Sequence, residues 1–279
     1  MKNLSGLLCA LLFAAILLPS CVGGEEEPPG SGYATDYISR WVYIEDTANA
    51  ENKSLEFNMD EWMEVDGITM SGVDGWYLSL NNNKIMVSEF NNYKMGEFFF
   101  SFEISGGRFV GENEGEWGGR LSYKDDSGGM YELLSYNNPT GMFSVNGNIY
   151  VFDRWSHSDY GKGSIHKLIN NKGIWEAGET ITLNGTPYAF FIEENMVYSI
   201  IFFTDPPYFT YNISIIKITV GESGLKIEEI AKKTYDLLAV RFTSMVKSDK
   251  KLYIGLFGGI AIFDLDSHEL KFYNKLLHN

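Results

Sequence analysis

Residues Met142–Leu183 read MFSVNGNIYVFDRWSHSDYGKGSIHKLINNKGIWEAGETITL. Two apolar runs, MFSV and IYVFD, flank the tight turn Asn146-Gly147-Asn148. Asn-Gly favours a type I′ hairpin, because both residues tolerate positive φ. A longer polar loop, RWSHSDYGKG, leads to SIHKLI, the short turn NNKG and a fourth run, IWEAGETITL. Runs of about 4 to 8 residues, rich in β-branched and aromatic types and bounded by turn formers, are strand chemistry. The stretch therefore predicts a four-stranded antiparallel meander.

The same rhythm occurs four times. The first unit is WYLSL, NNN, KIMVSEF, the loop NNYKMG, EFFFSFEIS, GG and RFVGE. The stretch quoted above is the second. The third runs from YAFFI through EEN, MVYSIIFF, the loop TDPPYFTYN, ISIIKITV and GESG to LKIEEIAKKT. The fourth runs from RFTSMV through KSDK, KLYIGL, FGG, IAIFDL and DSH to ELKFYNK. Meanders repeating at roughly 45 to 65 residues indicate a β-propeller, in which each blade buries its faces against its neighbours. A β-sandwich of regular hairpins is the alternative. YISRWVYIED and KSLEFNM, within residues 37–65, read as two further strands able to complete a blade with the far end of the chain. RLSYKDDSGGMYELLSY, residues 120–136, reads as a hairpin, either an insertion or part of another blade. About five blades is the simplest count, with no strand left after Lys275 to close the ring around the N-terminal pair.

The chain has two cysteines, Cys9 and Cys21. Lys2 and the uncharged run Leu7–Leu18 have the form of a secretory signal, too short to span a bilayer. Leu18-Pro19-Ser20-Cys21 resembles a bacterial lipobox, which is cut before a cysteine that then carries lipid. The alternative is an ordinary signal peptide with an incidental cysteine. Residues 21–36, rich in Gly, Glu, Pro and Ser, read as a tether that cannot bury enough apolar surface to order itself. The expected organisation is a signal over 1–20, a lipidated acidic tether over 21–36 and a β domain over 37–279.

Without cysteine, the folded part has no disulfide framework, thiol nucleophile or Cys-ligated zinc. The formal net charge is −15, which repels nucleic acid and anionic headgroups. No G-x-S-x-G, P-loop or H-E-x-x-H pattern occurs. His166 falls on a third strand and His268 in a turn, neither with a metal-ligand neighbour at useful spacing. The segment DLDSHEL, residues 264–270, lacks the glycine and the ligand run of a calcium loop and reads as a solvated turn. Glu193-Glu194 and Glu228-Glu229 are sequential on strands, so their side chains diverge and serve as surface charge. No cofactor and no enzymatic site is expected.

In a blade, second-to-third-strand loops and blade links share one face, and the two hairpin turns share the other. Here the hairpin face carries only short polar turns. The other face carries NNYKMG, RWSHSDYGKG, TDPPYFTYN and the excursion GEWGGRLSYKDDSGG. Its aromatics are Tyr93, Trp117, Trp155, Tyr160, Tyr208, Phe209 and Tyr211, joined by Arg154, His157, Lys94 and Lys162. Aromatic loops on a rigid scaffold suggest a binding surface. The alternative is that they pack as lids.

Three stretches carry a family resemblance: the lipobox with Glu25-Glu26-Glu27, residues 47–92 (TANAENKSLEFNMDEWMEVDGITMSGVDGWYLSLNNNKIMVSEFNN), and residues 97–110 (EFFFSFEISGGRFV). In spacing and residue type they resemble Bacteroidetes surface-exposed propeller lipoproteins that accompany TonB-dependent receptors. The chain is shorter than typical members. The resemblance implies an outer-membrane, lipid-anchored, surface-exposed protein that captures a small ligand, an iron–siderophore complex, and delivers it to such a receptor. The acidic run has the form of a surface-export tag in that group, or of a solubilising linker. Glycan capture is a second reading. A polysaccharide lyase or hydrolase using Tyr160, His157 and Arg154 is a third, and a purely structural or interaction module a fourth.

The lipobox reading has a direct consequence. Cys21→Ala is expected to release the protein from the membrane fraction into the soluble one, read by fractionation and immunoblot, since one acylated cysteine is the attachment the sequence offers. A variant that still sediments with outer membrane contradicts it.

Overall fold

The computed structural model describes residues 40–42, 55–65, 75–90, 98–113, 118–154, 162–205, 210–235 and 242–276. Cys21 and the segments expected to form the signal and the tether lie outside them. The described residues all fall in one unit, Asp36–Asn279.

The fold is all-β. The first strands are β1 (Arg40–Val42), β2 (Leu55–Glu56), β3 (Trp62–Val65), β4 (Gly75–Asn81), β5 (Lys84–Phe90), β6 (Phe98–Ile104) and β7 (Gly107–Asn113). Next come β8 (Gly119–Asp125), β9 (Met130–Ser135), β10 (Asn138–Val145), β11 (Asn148–Arg154), β12 (Gly163–Asn171) and β13 (Ile174–Leu183). Then follow β14 (Thr186–Glu193), β15 (Met196–Asp205), β16 (Thr210–Gly221) and β17 (Gly224–Tyr235). The last are β18 (Phe242–Ser248), β19 (Lys251–Leu256), β20 (Gly259–Asp264) and β21 (Leu270–Lys275). The one helical element among the described residues is a 3-10 turn, Met59–Glu61, capped by Asn58, whose Oδ1 accepts the Asp60 N–H at 3.1 Å.

These strands make five antiparallel sheets. Sheet one has the order β1-β6-β7-β8-β9, sheet two β10 to β13, and sheet three β14 to β17. Sheet four is β18 to β21 with β3 added at its edge, and sheet five is β2-β5-β4. The turns fall where the sequence places them. Asn82, Asn83, Asn146 and Gly147 all have positive φ, the conformation an Asn or Gly turn supplies most easily.

Alternation along the strands explains how the sheets pack. In β11, Ile149 and Val151 join a core with Phe100, Phe109 and Leu121 of sheet one. The intervening Tyr150 and Phe152 join a core with Phe190, Val197 and Ile216 of sheet three. In β16, Ile213 and Ile215 turn instead toward Ile254, Leu256 and Phe263 of sheet four. A fourth core joins Trp62, Ile260 and Tyr273 of sheet four to Trp76, Leu78 and Val87 of sheet five. Four seams, each between neighbouring sheets, give a blade-like succession of the kind a propeller uses; two sheets face to face would make one seam.

The sheets group the strands differently from the four units of the sequence. The first four-run unit is not one blade: β4 and β5 belong to sheet five, whereas β6 and β7 belong to sheet one. Residues 120–136 are not an insertion. They contain β8 and β9, the strands that complete sheet one beyond β6 and β7. The N-terminal strands also divide. β1 pairs with β6, and β2 with β5. The strand that meets the far end of the chain is β3, where Trp62 pairs with Lys275, and the Leu276 N–H donates to the Glu61 carbonyl at 2.8 Å.

The last seam is close enough to test. A Cβ at Gly255 would lie 2.2 Å from the Trp76 carbonyl oxygen and 2.5 Å from Thr243 Oγ1. Gly255→Ala is therefore expected to lose about 1–3 kcal/mol of stability in urea unfolding. At Gly221 the nearest such atom is 3.9 Å away, and Gly221→Ala should change stability by about 0.5 kcal/mol or less.

Candidate functional site

Within each four-strand run of sheets two to four, the first and third connections turn at one end and the second at the other. Contacts across the seams align these ends. At the hairpin end, Asn146 Nδ2 donates to the Val220 carbonyl at 3.3 Å, and Lys247 pairs with Glu193. At the loop end, Arg154 Nη2 donates to Asn113 Oδ1 at 3.2 Å, joining the end of β11 to the end of β7. Ser244 Oγ accepts the Leu78 N–H at 2.7 Å, joining β18 to β4.

Buried polar side chains gather at the loop end. Asn113, Asn138, Thr140, Asp153, Ser164, His166, Thr186, Thr204, Asn212 and Ser244 all lie near the strand termini there. A local irregularity recurs at the same place. The register shifts between Pro139 and Gly141 in β10, between Pro187 and Phe190 in β14, and between Phe242 and Ser244 in β18. A bulge bends its strand and re-aims side chains, and it tolerates proline because a ladder N–H is not needed there.

Asp153 is the centre of this end in sheet two. Its side chain is fully buried. Oδ2 accepts a hydrogen bond from Asn137 Nδ2 at 2.5 Å, and His166 Nε2 lies 3.4 Å from the same oxygen. The opposite ring nitrogen, His166 Nδ1, is 2.9 Å from Thr180 Oγ1. A chain of polar groups thus runs from exposed Thr180 on the outer strand to the buried carboxylate. Asp153 Oδ1, the bulge hydroxyl Thr140 Oγ1 and Arg154 Nε are buried without a hydrogen-bond partner among the described residues. Such atoms are uncommon in native interiors and cost about 1–3 kcal/mol each when nothing satisfies them.

The structure separates the expected site residues. Tyr93, Trp117, Trp155, His157, Tyr160, Tyr208, Phe209 and Lys94 lie outside the described residues. Arg154 lies at the loop end, half-buried and tied to sheet one through Asn113. Lys162 is exposed just beyond the same loop, so two cations bracket residues 155–161. Tyr211 is not a loop residue. β15 and β16 extend to Asp205 and from Thr210, and the Tyr211 ring stacks on Phe202 at 5.8 Å. The excursion around Trp117 is also shorter than the sequence suggests. β8 starts at Gly119, and Asp126–Gly129 turn at the hairpin end.

Among the described residues, no cluster of three metal-ligating side chains occurs. Asp264 Oδ1 accepts the backbone N–H groups of Asp266 and Ser267 at 3.0 and 2.9 Å, a local turn. The Ser267 N–H is the main reason its carboxyl is held below the usual range. Glu229 accepts from Ser214 Oγ at 2.7 Å, and Glu193 is taken by Lys247. Sequence reasoning missed the Asp153–His166 contact. The signal available was the pair of prolines, Pro139 and Pro187, each opening an apolar run and marking a bulge.

No protein-family model matches the chain, and no curated protein is significantly similar to it.

The buried carboxylate gives a stability prediction. Asp153→Ala leaves the Asn137 amide and the His166 imidazole without their acceptor. It should destabilise the protein by about 2 kcal/mol or more in urea unfolding. Thr180→Val, at the exposed end of the same chain, should cost roughly 1 kcal/mol.

Proposed function

We propose that this protein captures a small anionic ligand at its loop-bearing end, at the cell surface, and passes it to a TonB-dependent outer-membrane receptor. The ligand class is an iron–siderophore complex, and the lipid on Cys21 holds the protein at the membrane. The supporting observation is Arg154. In a chain of net charge −15, its guanidinium is fixed at the junction of two sheets and at the root of two loops. Nη2 is held by Asn113, while Nε–H has no acceptor among the described residues. A fixed guanidinium with donors to spare suits an oxygen-rich anion, because charge-assisted hydrogen bonds are the strong ones and Arg holds its geometry. Lys162 adds a second positive charge at the far side of the same loop. The aromatic residues of residues 155–161 and 206–209 would supply stacking faces around this charged contact.

Calorimetry with a ferric tris-catecholate tests the reading. Arg154→Gln should weaken binding about tenfold, or roughly 1.4 kcal/mol, and flatten its dependence on salt. Lys250→Gln, in a hairpin-end turn, should leave affinity unchanged. Equal affinity of Arg154→Gln and the parent protein would refute the site. Salt-insensitive binding of neutral oligosaccharides, with none of the chelate, would favour glycan capture instead.

A further inference from the structure

The seam between sheets four and five carries a second arrangement, built from residues that the Arg154 site does not use. Trp62 of β3 packs edge-on against Trp76 of β4, with ring centroids 5.1 Å apart and planes at 78°. Phe57 lies 5.9 Å from Trp62. The three rings line a small recess that opens to solvent, with both indoles otherwise buried, and Glu56, Glu61 and Glu89 line it too. Glu56 is paired with Lys84 at 2.8 Å, whereas Glu61 and Glu89 make no ion pair among the described residues.

A cation already occupies this place. The Lys275 ammonium sits 4.9 Å from the centroid of Trp76. Among the described residues it forms no ion pair, although three carboxylates line the same recess. The face of an indole ring is negative, so it attracts a cation without needing a hydrogen bond. Lys275 is the last residue of β21 and is half-buried, so its side chain can leave without unpairing the strand.

We infer that the recess binds an organic cation bearing a quaternary ammonium group, and that Lys275 occupies it until such a ligand displaces it. Aromatic walls favour this class over a primary amine. A trimethylammonium group is weakly hydrated, has no N–H to satisfy, and fills an aromatic recess with methyl groups. The two unengaged carboxylates supply the matching charge at the rim.

The test is calorimetric titration of the folded protein with choline and with its neutral isostere, 3,3-dimethylbutan-1-ol. Choline should bind saturably at millimolar concentration, and the alcohol should not. Lys275→Met removes the internal competitor and should tighten choline binding about fivefold. Glu61→Gln with Glu89→Gln should weaken it by a similar factor. Both variants alter only the rim and the stand-in, leaving the Trp62–Trp76 packing intact. Equal binding of the alcohol, no saturable choline binding by the Lys275→Met protein, or an unchanged affinity in that variant would each overturn the inference.

Discussion

The middle sheets of this protein are apolar on both faces, and the rest of the structure follows from that constraint. In β11, alternate residues feed two different cores, and β16 does the same on the next sheet. A sheet of this kind left alone would expose one large apolar face on each side, which water strongly disfavours. Each therefore needs a neighbouring sheet on both faces. Sheets two, three and four find both. Contacts across the seams set the sheets so that the hairpin turns lie at one end and the longer connections at the other.

The two ends then differ in chemistry. Tight turns at the hairpin end satisfy their own backbone groups and project into water. The loop end contains bulged first strands, wide connections and a concentration of buried polar side chains. Polar groups buried there must be satisfied across seams, as Arg154 is by Asn113 and Leu78 by Ser244. These hydrogen bonds set one sheet against the next, while a few donors and acceptors remain open. A rigid frame with open polar groups at one end is a natural place for recognition. The Trp62–Trp76 recess belongs to the same end, but it is lined by aromatic rings where the Arg154 region presents charge.

Much of this was legible in the sequence. Strand chemistry is local, so the four-run rhythm and the hairpin turns at Asn82, Asn146, Glu194 and Asp249 could be read directly. Membership of sheets could not. The connection between β5 and β6 has the same look as a loop inside one blade, yet it joins two sheets, because only the partner strands decide which it is. β3 was hidden for a related reason. It is four residues long, and its partner β21 lies at the other end of the chain. The Asp153–His166 contact depends on the register of β11 with β12, where His166 pairs with Val151, two residues before Asp153 on the same face. Residue spacing alone does not reveal that diagonal. Tyr211 misled for the opposite reason: an aromatic beside a proline-rich loop looks like loop, but the strand ladder reaches past it.

The central claim is that the sheets depend on one another for stability. Native-state hydrogen exchange on Phe152→Ala, a truncation at the seam of sheets two and three, tests it most directly. If the sheets stand only together, the slowest-exchanging amides of β19 and β20 in sheet four should lose as much protection as those of β11 and β12. Loss confined to sheets two and three, with sheet four unchanged, would show that the sheets are independent units and would contradict the account.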